Sequence, residues 1–470
     1  MTSAQPPGPG GTLLQAVTVT TLGVLPAFLV GALAVQIRAD LGIGPAEMGM
    51  AAATLFAVSG IFARRLGRLV QRIGAAKGVA ASAILAATSL TGAGLAPSFG
   101  VLIVALVVGG LANGLAQPAA NLGISRAVSP GRLGLAFGIK QCSIPAAGLI
   151  GGLAVPGIAL VLGWRYAFAF GAVLAVSLAL WAGFRTQGTS RPTTGPAAPA
   201  DRGTPRRGLV LLAIGAGLAA AAATSMGVFL VDSAVESGMS PAAAGYLFAG
   251  AALLGLLIRI ALGAAMDRFP QRSPYILVAN LLTIGVAGYV LLGLGSPSAF
   301  LAGALLAYGA GWTWPGLVHF AVVRDNRQGA ASATGVLQTG LSLGAAAGPL
   351  LFGLLVAATS YRTAWLAAAV VALLAAVTFR LGRRTIRASR ATSQAAADAA
   401  SDTTQGAGPE NAPRADIPRD SIQSEAGQRE ATRRDATTPH TTSPQTTSPH
   451  AAPPPVSTSP GGIPTKGNPS

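Results

Sequence analysis

The chain is poor in charge, in cysteine and in histidine, and each shortage removes a class of protein. Only 10% of its 470 residues are Asp, Glu, Lys or Arg, against about 25% in soluble domains. Apolar residues make up 51%, and nearly all of them fall before residue 390. A soluble fold has no way to hide that much apolar surface, which leaves a polytopic membrane protein. The single cysteine, Cys142, excludes an intrachain disulfide. It lies in an apolar stretch and reads as a packing residue, not a catalytic thiol. The three histidines, His319, His440 and His450, two of them near the C-terminus, cannot assemble a metal cluster. No Gly-rich phosphate loop ending in Lys-Ser/Thr occurs, so ATP is not the expected energy source. The apolar stretches hold no His, Asp or Glu cluster, so neither an enzyme nor a cofactor is expected. The start, "MTSAQPPGPGG", lacks a basic n-region, and the first apolar run reads as a retained span.

What is there in quantity is long apolar runs. A helix needs about 20 such residues to cross a bilayer. Runs of that order occupy 13–35, 46–63, 78–95, 101–123, 135–162, 166–184, 209–231, 242–266, 274–294, 299–323, 331–357 and 363–381, twelve in all. Basic residues alternate with them. The breaks after even-numbered spans, with Arg380 at the end of span 12 and the segment after it up to residue 390, carry 21 Lys and Arg; the other breaks carry only Arg38, Arg165 and Arg362. This is the positive-inside pattern, and it predicts an inner or plasma membrane protein with both termini in the cytoplasm. The net charge of +17 is therefore a set of short loops and not a basic groove with interleaved aromatics, and no nucleic-acid partner is expected.

Residues 185–208, rich in Pro, Gly, Thr and Arg, read as a cytoplasmic linker between two six-helix bundles, 1–184 and 209–390. The halves align at an offset of 197 residues: "AFGIKQCSIPAAGLIGG" from Ala136 matches "ATGVLQTGLSLGAAAGP" from Ala333, and Pro118 matches Pro315. An internal parallel repeat follows. Residues 391–470, dominated by Ala, Thr, Ser and Pro, are expected to be a disordered cytoplasmic tail.

The fold class expected is thus all-α: twelve transmembrane helices in two parallel repeats. With cytoplasmic termini and a central loop, this resembles the major facilitator superfamily. Its loop signature, Gly-x-x-x-Asp-Arg-x-Gly followed by basic residues, is approached by "GAAMDRFPQR" (Gly263, Asp267, Arg268) and by "GRLVQRIGAAK" (Gly67, Gln71, Arg72), where Gln71 replaces the usual acid. The resemblance implies a secondary transporter of a small molecule working by alternating access, with those six residues gating its cytoplasmic side. The glycines admit close helix approach, and the charges latch helix ends or only enforce topology. The drug-antiporter branch shows an Arg in span 4, where this chain has Gly110, and a Gly-Pro-x-x-Gly-Gly motif in span 5, where it has "GLIGG". "GIKQ" followed by "GWR" is closer to the cyanate- and anion-type branch.

Polar groups inside spans locate the expected path. Asn113, Gln117 and Asn121 follow at i, i+4 and i+8 and stay on one face of span 4 within about 80°; Trp314 is the repeat counterpart of Gln117. Gln141 and Gln338 are repeat partners in spans 5 and 11. Lys140 and Arg259 are cations within spans 5 and 8. Lys140 either snorkels to the headgroups or meets a solute, and beyond Glu47 at the very start of span 2 no acid is expected inside any span to balance the pair. The eight residues are read as substrate-binding, and a small anionic organic solute is expected, with a coupled proton as a possible driving force. Proton-coupled efflux of lipophilic compounds is the same-class alternative, and a transport-inactive sensor signalling through the tail is the alternative of another class. A monomer in the lipid bilayer is expected.

Overall fold

The computed structural model of the protein describes residues 9–129, 132–185, 205–269, 273–326 and 330–406; most of the linker, 186–204, and the tail beyond 406 lie outside them. The described residues are helical almost throughout, as lipid demands of any segment that must satisfy its own backbone. The first half comprises α1 (Pro9–Ala32), α2 (Ala34–Leu41), α3 (Pro45–Ile73), α4 (Ala75–Gly94), α5 (Phe99–Ala127), α6 (Leu133–Lys140), α7 (Ser143–Ala154), a π-helical turn Val155–Ala159, α8 (Leu160–Leu162) and α9 (Trp164–Arg185). The second comprises α10 (Arg206–Glu236), α11 (Pro241–Arg268), α12 (Pro274–Gly293), α13 (Pro297–Leu306), a π-helical turn Ala307–Gly311, α14 (Pro315–Asp325), α15 (Ala330–Ala358) and α16 (Tyr361–Gly406).

Among the described residues, ten helices are long and apolar enough to cross a membrane. The expected third and tenth spans are not among them. The third is α4, a 20-residue helix whose Ala, Gly, Ser and Thr dilute its hydropathy. The tenth is α13, the π turn and α14, a helix broken ahead of Pro315. The fifth span is also broken, between α6 and α7. At the C-terminal end, α16 continues to Gly406, past the expected boundary at 390; its extension is alanine-rich, the strongest helix-forming composition.

The repeat is visible in the turns. "GIGPAEMG" from Gly42 and "GMSPAAAG" from Gly238 end the first long helix of each half and start the next. Gly42 and Gly238 take positive φ, 63° and 95°, and Pro45 and Pro241 open the following helices, where a missing N–H is no loss. Between the halves, α3 meets α15 and α7 meets α11 at glycines. A Cβ on Gly49 would strike the Pro349 carbonyl, and one on Gly152 would lie 2.6 Å from Ala249 N. Small residues of this kind let helix backbones touch where lipid supplies no hydrophobic drive.

Candidate substrate cavity

Pro145 explains the break in the fifth span. A helix would bond the N–H of residue 145 to the carbonyl of Gln141, and proline has no N–H to give. The chain turns at Gln141 and Cys142, and the Gln141 carbonyl needs another donor. Arg259 of α11 supplies it: Nη1 donates to Gln141 O and Nη2 to Trp312 O, the latter just past the π turn of the broken tenth span. Arg259 is buried, 4% exposed, and so pins two helix breaks, one in each half. It borders a small cavity with Gly138, Gly263 and Thr313.

Beside this clamp lies a cavity of about 100 Å³. Asn113, Gln117 and Gln141 line it from the first half; Trp314, His319 and Gln338 line it from the second. Phe28, Phe56 and Trp312 supply an aromatic wall, and no carboxylate is in the lining among the described residues. Lys140 stands behind the polar wall, 3% exposed, with Nζ donating to Gln117 Oε1. The chain of contacts continues through Gln117 Nε2 to Asn113 Oδ1 (3.4 Å) and Asn113 Nδ2 to Ser59 Oγ (3.0 Å). Across the cavity His319 Nδ1 lies 2.8 Å from Pro315 O and 3.5 Å from the Gln141 amide. The shorter contact assigns the proton to Nδ1 and leaves Nε2 as the acceptor. Gln338 donates to Ser342 Oγ at 3.4 Å. Trp314 is fully buried, and its Nε1–H has no partner among the described residues.

The structure thus brings Asn113, Gln117, Gln141, Trp314 and Gln338 to one cavity, with Lys140 one contact behind. Arg259 does not line it. Asn121 does not either: it is exposed, because eight residues carry the stripe about 80° around the helix. Among the loop residues, Gly263 packs as expected, its Cα 3.4 Å from a Cβ placed on Gly138, whereas a Cβ on Gly67 would meet nothing within 4 Å. In this state, then, no helix approaches Gly67 closely. Gln71, Arg72 and Arg268 are exposed, the two arginines in the last turns of α3 and α11. Asp267 falls in α11, and its side chain lies outside the described part.

Several neighbours escape a sequence reading. His319 looks like an interfacial residue but lines the cavity, and Ser59, Thr224 and Ser342 join it. More consequential is Asp232, which the apolar runs leave just outside span 7. It lies within α10, 5% exposed, so an acid does sit inside a helix of the bundle. Arg38 of α2 pairs with it at 2.5 Å, and the Tyr361 hydroxyl of α16 donates to the same oxygen. The pair ties the halves at the end opposite the arginine-rich loops. At the other end α3 and α15 part: beyond Gly60 and Ser342, which touch, Gly67 and Gly335 face open space.

Two crystal structures of a bacterial homologue of the human lysosomal transporter Spinster share the fold. The inward-facing occupied form is 18% identical with a TM-score of 0.62, covering 81% of this chain and 98% of that one. The inward-facing unoccupied form is 19% identical with a TM-score of 0.62, covering 82% and 98%. No match is found among curated proteins. The Major Facilitator Superfamily profile matches residues 16–333 and 212–421. With its helical bundle and repeated halves, the chain belongs to the major facilitator superfamily of membrane transporters.

Proposed function

We propose that the protein moves a small anionic organic solute across a cell membrane by alternating access between halves 1–184 and 209–390. Membership of the family supports secondary transport of a solute. The observation that carries the anionic reading is Lys140, a buried ammonium held by Gln117 directly behind a cavity wall, with no carboxylate in the lining among the described residues. A cation kept from water is costly unless something answers its charge, and a carboxylate entering the cavity does so. The solute is held between donors from both halves: the Asn113, Gln117 and Gln141 amides on one side, the Gln338 amide and the Trp314 indole N–H on the other. A co-transported proton has His319 as its seat. Arg259 serves the site from behind by fixing the Gln141 and Trp312 backbone.

The positive-inside pattern supports placing both termini and the arginine-rich loops in the cytoplasm. The Arg38–Asp232 pair then closes the outer side. In the opposite state, Gly67, Gln71, Arg72, Gly263, Asp267 and Arg268 form the cytoplasmic gate. Phe28, Phe56 and Trp312 favour a second reading, export of a lipophilic compound stacked on that wall.

The test is a thermal-shift screen of the purified protein and Lys140→Gln. Small carboxylates and inorganic anions are set against lipophilic cations and neutral aromatic compounds. Stabilisation of the wild type by a carboxylate, lost in Lys140→Gln, is the expected result. A response confined to lipophilic compounds and kept by the variant overturns the anionic reading and leaves export.

A further inference from the structure

The outer face of the first half carries a groove that the transport path does not use. It runs between α4 and α9 in two stretches of about 630 and 690 Å³, which share Thr91 and Val176. The groove is apolar: Leu95, Val173 and Val176 line one stretch, Ile84, Ala87 and Leu180 the other. Two of its polar side chains are spent on their own helices, Thr88 Oγ1 donating to Ile84 O (3.1 Å) and Ser177 Oγ to Val173 O (2.9 Å). From Ile84 to Leu95 the helix advances about 17 Å, close to the depth of one leaflet in a hydrocarbon core of about 30 Å.

At one end the groove meets charge. Arg165 lines it there and pairs with Asp40 at 2.5 Å, both side chains 42% exposed. The Trp164 indole N–H donates to the same carboxylate at 3.2 Å, and Tyr166 is exposed beside them. This end is the one away from the arginine-rich loops, and aromatic side chains at such a level mark the membrane–water boundary. The site therefore offers, in order, an exposed cation beside an exposed anion and then a leaflet-deep apolar channel.

We infer that this groove binds a zwitterionic phospholipid with a primary ammonium headgroup, of the phosphatidylethanolamine type. The phosphate faces the Arg165 guanidinium, the ammonium faces the Asp40 carboxylate, and an acyl chain lies along α4 and α9. An anionic lipid would gain the arginine but meet Asp40 with like charge, and a quaternary ammonium has no N–H to give Asp40. The inference depends on the membrane placement of the helices and not on the identity of the solute.

Native mass spectrometry of the full chain in detergent tests it, with phosphatidylethanolamine, phosphatidylcholine and phosphatidylglycerol of identical acyl chains. The expected result is retention of phosphatidylethanolamine above the other two. Val176→Trp, which fills the groove at an exposed position, is expected to lower that retention about tenfold, the worth of a well-packed apolar contact. The Arg165→Gln, Asp40→Asn double variant is expected to abolish the headgroup preference while leaving acyl binding. Equal retention of all three lipids by the wild type, or retention unchanged by Val176→Trp, overturns the site and leaves ordinary boundary lipid. A dimer mass that Val176→Trp abolishes also overturns it, because a second copy is then the occupant.

Discussion

Arg38 Nη1 and Asp232 Oδ2 stand 2.5 Å apart and join the first half of the chain to the second. Asp232 is nearly buried, its side chain 6% exposed against 28% for Arg38, so removing Arg38 leaves a buried carboxylate with the Tyr361 hydroxyl but no counter-charge from Arg38. Breaking a fully buried pair costs about 3–5 kcal/mol, and the partial exposure of Arg38 returns some of that to water. Arg38→Ala is expected to shift the equilibrium toward a state open at this end by about tenfold, equivalent to about 1.4 kcal/mol. Spin labels at Leu41 and Glu236 report the distance. A longer population in Arg38→Ala, reversed by the Arg38→Asp, Asp232→Arg swap, is the expected pattern; identical distance distributions in wild type and variant would sink the latch.

Gln117 is the only side chain in hydrogen-bond contact with Lys140 among the described residues. Replacing it by leucine removes an acceptor from a buried ammonium, and hydrogen bonds to charged groups are worth about 1.5–3 kcal/mol. Gln117→Leu is expected to lower apparent affinity for a transported carboxylate by more than tenfold. Asn121→Ala, four residues on but exposed, is expected to leave uptake unchanged. Uptake into proteoliposomes checks both, and a loss in Asn121→Ala equal to that in Gln117→Leu would contradict the position of the cavity.

The spacing of polar residues in the fourth span puts Asn113 and Gln117 on one face, because a helix keeps i and i+4 together, and that face lines the cavity. It overreached at Asn121, where the same rotation carries the side chain away. Gln141, Trp314 and Gln338 emerged from comparing the two repeats, since family symmetry brings corresponding positions to one central space. Arg259 shows what a sequence conceals. Its charge marked it as a ligand, but its use depends on carbonyls left by Pro145 and by the break before Pro315, and a broken span looks continuous to hydropathy. Asp232 was hidden for a different reason: it lies at the last turn of an apolar run, and its partner is 194 residues away. No local pattern reports a contact of that range.

Glycines that look alike in the sequence divide sharply in the structure. A Cβ on Gly344 would collide with the Gly217 carbonyl, whereas Gly67 and Gly335 have nothing within 4 Å. Gly344→Ala must force α10 and α15 apart and is expected to lower the melting temperature or abolish folding. Gly67→Ala gains the helix preference of alanine, about 1 kcal/mol, and is expected to hold or raise it. Comparable destabilisation by both substitutions in a thermal melt would rule out this reading of the α10–α15 contact.

Arg259 sets the most demanding requirement, two carbonyls on different halves satisfied by one side chain. A guanidinium offers five N–H donors in a planar fork, and an ammonium on a flexible stem does not reproduce that geometry. Arg259→Lys keeps the charge and loses one of the two bonds, leaving a buried carbonyl unsatisfied at about 1–3 kcal/mol. We therefore expect Arg259→Lys to destabilise the protein nearly as much as Arg259→Met, and Pro145→Ala to relieve part of the loss by restoring an N–H for Gln141 O. If charge alone were the role of Arg259, lysine would rescue the melting temperature and Pro145→Ala would do nothing. Thermal melts of the three variants and of the Arg259→Lys, Pro145→Ala pair separate the two, because only the carbonyl clamp couples residue 145 to residue 259.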